Sequence, residues 1–142
     1  MVDVIDGDGE CAEWIFPAEP DAVRAARHAV RDTLRAWDLP GAVCDVTVLL
    51  VSELVTNSLR YASGPIGVRL VRPVIDGASR PLPPALLVEV SDPLPDPPLE
   101  RPAGPDDEGG RGLQLVACTA RRWGTRRGRT GKTVWFELPL PG

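Results

Sequence analysis

Residues 51–62 read Val-Ser-Glu-Leu-Val-Thr-Asn-Ser-Leu-Arg-Tyr-Ala, and the placement of their polar side chains decides the fold. The stretch has the spacing of a helix. At about 100° per residue, Leu50, Leu54, Tyr61 and Val46 share one apolar stripe, the face that seeks a core. On the same projection Asn57 falls about 20° and Glu53 about 60° to one side of Leu50. A carboxylate and an amide, one turn apart, are therefore expected within the apolar stripe. A buried carboxylate is costly unless it is paired or used. Two readings follow. The pair satisfies itself and nearby backbone, or it lines a wet pocket where the carboxylate accepts a proton and the amide oxygen ligates a hard cation such as Mg2+.

The surroundings place this helix in one ordinary domain. The chain has 142 residues, 43% of them apolar, enough for a single core. Residues 1–10 are acidic and glycine-containing; they are expected to be a disordered tail, with one domain over 11–142. They lack the basic-then-apolar order of a signal peptide, and no apolar run approaches the roughly 20 residues of a membrane span. The expected location is the cytoplasm. The cysteines, Cys11, Cys44 and Cys118, are scattered and odd in number, and the lone histidine is His28. A disulfide framework, a zinc site and histidine-based nucleophilic catalysis are all disfavoured.

The net charge of −4 argues against a general nucleic-acid binder. The charge is uneven, because Arg121, Arg122, Arg126, Arg127, Arg129 and Lys132 crowd together near the C-terminus. That cluster is either a solvated hairpin or a face for an acidic protein surface or for phosphates.

Outward from residues 51–62, the pattern gives a short strand at 12–17, with Trp14 and Phe16 on one face. A helix opens at Pro20-Asp21, carries Val23, Ala26, Val30, Leu34 and Trp37, and stops before Asp38-Leu39-Pro40-Gly41. The second helix covers about 42–62. Strands follow at 66–73 and 85–91, joined by a polar, proline-rich connection. Residues 92–112 hold six prolines and four glycines and cannot form a regular element. Loops this long are more often functional or mobile than idle. A short helix at 113–120 and strands at 121–127 and 132–139 close the chain. The order predicts an α+β two-layer sandwich, a mixed, mostly antiparallel sheet covered on one face by three helices.

Two further stretches carry chemistry. Asp92 ends the strand over 85–91, where it either reaches into a cleft or merely starts a turn. Gly109-Gly110-Arg111-Gly112-Leu113 leads into the third helix. Backbone N–H groups at a helix N-terminus suit phosphate, and Arg111 can add a charged contact; a flexible hinge explains the glycines equally well. Neither a P-loop nor a Rossmann glycine pattern occurs.

Taken in order, these stretches resemble the GHKL ATPases, the superfamily of gyrase, heat-shock chaperone, histidine kinase and mismatch-repair ATPase domains. "SELVTNSLRYA" is similar to their asparagine box, "VEVSD" to the strand and aspartate of the first glycine box, "GGRGLQLV" to the second, and "GKTVWFELP" to the closing strand. With "FPAEPDAVRAAR" and "RRWG", the chain most resembles the small anti-sigma-factor serine kinases, over roughly residues 14–139. The resemblance implies a Bergerat ATP-binding fold that uses ATP and Mg2+. It implies that Glu53 is the general base, Asn57 the Mg2+ ligand and Arg60 a phosphate contact. Asp92 would bind the adenine amino group. Gly110, Arg111, Gly112 and Leu113 would form the phosphate turn, Thr133 would support adenine recognition, and about 93–110 would be the ATP lid. The expected partners are a sigma factor and an antagonist protein phosphorylated on serine, with no nucleic acid and no membrane; a homodimer fits the same resemblance. An alternative is a non-catalytic ATP/ADP-binding module that selects a partner through its lid. The chain departs from the family where Leu94 and Asp96 stand in place of glycines, within Asp92-Pro93-Leu94-Pro95-Asp96.

Overall fold

The computed structural model describes residues 4–6, 9–61, 64–73, 85–93, 108–128 and 131–140. The chain runs β1 (Val4–Asp6), β2 (Gly9–Phe16), α1 (Asp21–Ala36), α2 (Gly41–Tyr61), β3 (Ile66–Pro73), β4 (Ala85–Asp92), α3 (Glu108–Thr119), β5 (Arg122–Gly128) and β6 (Gly131–Pro139). The six strands form one sheet in the order β1-β2-β3-β4-β6-β5. Every described pairing is antiparallel, so the sheet is not mixed as expected from the sequence. Each neighbour can be reached by a hairpin or by a return through helices, and no parallel crossover is needed.

The N-terminal residues correct a second expectation. Val4–Asp6 is not a disordered tail but an edge strand paired with Gly9–Cys11. Glycine and acids hid it, because they are poor strand formers; the partner strand supplies the ladder that propensity does not.

One face of the sheet is covered. Along β4, Leu86, Val88, Val90 and Asp92 are buried, while the alternate residues are half-exposed. This is the period-two signature of a sheet with helices on one side. Ile66, Val68 and Leu70 of β3 and Val134, Phe136 and Leu138 of β6 complete that layer. Against it lie Ala22, Ala26, Val30 and Leu34 of α1 and Val51, Leu54 and Val55 of α2, all within one core. Truncating such a residue, Leu50→Ala for example, removes about 2–5 kcal/mol.

α1 ends on Asp38, whose φ of 60° is the left-handed turn that glycine usually makes. The Leu39 N–H then bonds the Leu34 carbonyl at 3.1 Å. Proline 40 supplies the carbonyl for the N–H groups of Val43 and Cys44, which starts α2. Gly41–Arg60 has a mean hydropathy of 1.5, long and apolar enough to cross a bilayer. That departs from the expectation of no such run. Its packing against α1 and the sheet accounts for the apolarity, since a helix buried on several sides needs apolar residues around most of its circumference.

Candidate nucleotide site

The buried arc of α2 is Cys44, Thr47, Val48, Leu50, Val51, Leu54, Val55 and Ser58. Its centre lies toward Val51 and Val55, not at Leu50, and the polar pair is displaced accordingly. Glu53 and Asn57 are half-exposed. They occupy the shoulder of the helix one turn apart, not the middle of the apolar stripe as the projection suggested. The four-residue stripe had too few anchors to fix its centre; the true one includes Thr47 and Ser58, whose polarity kept them out. Thr47 satisfies its hydroxyl on the Val43 carbonyl at 2.7 Å, which lets it pack in the core. Asn57 and Arg60 both engage neighbouring groups. Arg60, one turn beyond Asn57, is exposed.

Facing the last turns of α2 is the end of β4. Asp92 is 7% exposed and Ser58 also 7%. The Ser58 hydroxyl donates to Oδ2 of Asp92 at 3.1 Å, a bond from helix to sheet. A carboxylate can be held in such a place only by partners, and Asp92 has at least one more interaction besides. Ser58 is the site residue that the sequence did not single out. The available signal was its position next to Asn57, one step around the helix toward the core.

The register of β4 and β6 pairs Asp92 with Lys132 and Ser91 with Thr133. Paired residues share a face and successive ones alternate. Lys132 is therefore the residue set beside Asp92 on the helix side. Thr133 lies with Ser91 on the open face, where the two hydroxyls are 2.8 Å apart. Thr133 is thus separated from the Asp92 carboxylate by the thickness of the sheet. A single-sequence motif cannot show this, because a one-residue shift in register exchanges the faces.

The backbones are crowded where β4 meets β6. A Cβ on Gly131 would stand 2.2 Å from the Asp92 carbonyl oxygen. Pro93 packs on Gly64, where a Cβ would stand 2.5 Å from the proline ring. Together these contacts fix the exit of β4. A hollow of about 540 Å³ opens beside it, touched by Asp92, Pro93, Lys132 and Thr133. No residue of α2 lines it.

The third helix begins at Glu108, earlier than the sequence suggested. Gly109, Gly110, Arg111, Gly112 and Leu113 are therefore inside its first turns, not in a loop before it. Tertiary context overrides the low helix propensity of glycine here. The first N–H groups of any helix lack intrahelical acceptors, so this N-terminus keeps donors suited to phosphate. The backbone there is described, the side chains of Arg111 and Leu113 are not. Of the expected lid over 93–110, residues 94–107 lie outside the described residues.

The donor set fits a nucleotide in kind. A buried acceptor carboxylate suits an amino group of a base, an amide and a carboxylate on one helix shoulder suit a hydrated cation, and a helix with glycines in its first turn suits phosphate. Among the described residues, no cluster of three or more His, Cys, Asp and Glu side chains could hold a metal by itself. A cation in this site would need oxygens from the nucleotide as well as Asn57.

Comparison with known proteins agrees with the assembled elements. No curated protein matches the chain. A family model, the histidine kinase-like ATPase domain, matches residues 16–138, from the last residue of β2 almost to the end of β6. The match takes in all three helices, the β4 end with Asp92, and the closing strand, and ATP binding is what this domain implies. The chain belongs to the histidine kinase-like ATPase domain family.

Proposed function

We propose that this protein is a cytoplasmic ATP-dependent serine/threonine protein kinase of the anti-sigma regulatory type. Its substrate would be a small antagonist protein, and a sigma factor its alternative partner. The observation that carries this reading is the buried Ser58–Asp92 bond. It brings the helix bearing Glu53 and Asn57 against a carboxylate at the sheet end.

Magnesium-bound ATP would supply the phosphoryl group. Asp92 would accept a hydrogen bond from the base, with Ser58 holding its other oxygen. Asn57 would offer its amide oxygen to the cation. Glu53, one turn earlier on the same shoulder, would take the proton of the substrate hydroxyl. The Gly109–Gly110 turn of α3 would present backbone N–H groups to phosphate, with Arg60 and Arg111 as charged contacts. In phosphoryl transfer, positioning and charge neutralisation carry most of the catalysis, so a site with few catalytic groups suffices.

Pro93 favours a second reading, a non-catalytic ATP/ADP-binding module acting on a partner through its lid. It follows Asp92 directly, rests on Gly64, and stiffens the chain where glycine would allow close backbone approach.

The test is titration of the full chain with ATP, with and without Mg2+, followed by incubation with γ-labelled ATP and candidate antagonist proteins. On the kinase reading Asn57→Ala loses the Mg2+-dependent part of binding, and Glu53→Gln binds ATP but transfers no label. Wild-type binding without transfer to any antagonist selects the module. ATP binding unchanged in both Asn57→Ala and Asp92→Asn removes the site.

A further inference from the structure

The row that holds Asp92 continues across the helix side of the sheet. Asp92 of β4 pairs with Lys132 of β6, and Lys132 pairs with Arg127 of β5. Paired residues share a face, so the row reads carboxylate, ammonium, guanidinium. Two cations directly opposite one another destabilise a ladder. A local rule broken at the rim of a site points to a use for one of them.

Elsewhere on the sheet, carboxylates hold the cations. Glu89 takes Arg69 and Arg126, and Glu137 takes Arg121. Lys132 has no such partner among the described residues. It is half-exposed and lines the hollow of about 540 Å³ together with Asp92. Asp92 draws its ammonium and Arg127 repels it, so the charge leans toward β4 and the hollow. The Asp92 carboxylate is meanwhile shared, since Oδ2 already accepts from Ser58. Thr133 does not compete for this place. Its hydroxyl lies on the open face, 2.8 Å from that of Ser91.

We propose that Lys132 is a base-contacting residue of the nucleotide site. Its ammonium donates to a ring nitrogen of adenine beside the amino group that donates to Asp92. The inference rests on the ATP reading and adds a specificity-determining residue to it. The chemistry of the base selects the pair. Adenine's amino group is flanked by two acceptors, N1 and N7, so its edge calls for an acceptor and a donor side by side. Asp92 and Lys132 supply that pattern on directly opposed positions, with Cα atoms about 4.5–5.5 Å apart in such a ladder. The flexible four-carbon stem of lysine lets the ammonium adjust to the base, and a charged donor makes the stronger kind of hydrogen bond.

The probes are ADP, 7-deaza-ADP and 1-deaza-ADP, in which carbon replaces one or the other ring nitrogen. Each is titrated by calorimetry into the full chain. The wild type should bind one of the two deaza nucleotides about ten-fold more weakly than ADP. Lys132→Met should weaken ADP by the same factor and leave that deaza nucleotide as it was, because the two losses are one contact. All three probes carry the same diphosphate, so any attraction of the lysine for phosphate cancels. Arg127→Met removes an equal charge one strand further out and should keep ADP affinity. Free Lys132→Met should melt no lower than the wild type, since a like-charged pair is relieved. Four results would each overturn the proposal: equal binding of all three probes by the wild type, ADP binding unchanged in Lys132→Met, an equal loss of all three probes in Lys132→Met, or as large a loss of ADP in Arg127→Met. A wild type that binds no ADP at all removes the nucleotide reading and the inference with it. Unchanged ADP binding in Lys132→Met, beside a wild type that binds, removes the inference alone.

Discussion

The hydroxyl of Ser58 stands 3.1 Å from Oδ2 of Asp92, and both residues are buried. This bond fastens the C-terminal half of α2 to the sheet at the place where the nucleotide base is expected. Removing a buried donor from a carboxylate costs about 1–3 kcal/mol. Ser58→Ala should lower the melting temperature by several degrees and weaken ADP binding about ten-fold. Thermal denaturation and titration with ADP check both. A variant that melts lower yet binds ADP as the wild type does would make the bond structural only.

Gly131 should tolerate no side chain. A Cβ there would stand 2.2 Å from a backbone oxygen of Asp92 and 3.1 Å from its carbonyl carbon, and backbone cannot rotate aside. Gly131→Ala should cost about 1–3 kcal/mol as β4 and β6 part. Gly41→Ala is the control. Nothing lies within 4 Å of a Cβ at that helical position, so alanine should be neutral or stabilising by up to about 1 kcal/mol. Urea denaturation of the two variants gives the comparison.

Cys44 should behave as a buried thiol. Burial, and then the carboxylate of Asp45, push its pKa above the ordinary thiol value. The folded state therefore favours the neutral form. The stability this gives is present below the thiol pKa of the unfolded chain and is lost as pH rises through the higher folded value. Denaturation midpoints should fall on the alkaline side, and less so in Cys44→Ala after correction for the cavity. Under native conditions a thiol reagent should modify exposed Cys118 first and Cys44 only on unfolding.

Glu89 joins three strands on the open face. Its oxygens meet Arg69 at 3.2 Å and Arg126 at 2.8 Å, while its own side chain is 12% exposed. Glu89→Gln should cost about 1 kcal/mol, since the arginines stay half in water. The difference from wild type should shrink in 1 M salt, which parallel melts at two ionic strengths would show.

Much of this was legible in the residues, and the failures share a cause. β3 stands at the boundaries its apolar alternation suggested, and α1 between Pro20-Asp21 and the Asp38 turn, because local chemistry sets those limits. β1 was hidden because its strand character comes from its partner. α3 starts early because packing outweighs the glycines. Within the site, Glu53, Asn57 and Asp92 could be picked out one by one. Ser58 could not, since its meaning lies in a residue 34 positions away. Nor could the contrast between Lys132 and Thr133, which only the pairing of β4 with β6 decides. Sequence patterns report each strand's alternation but not which phase meets the core.

That alternation has a further result at the end of β4. Ser91 points outward to one compartment and Asp92 inward to another, and a single peptide plane joins them. A tilt of that plane turns both side chains at once. A movement of that plane on filling one side would change the affinity of the other, and the effect would be equal in both directions.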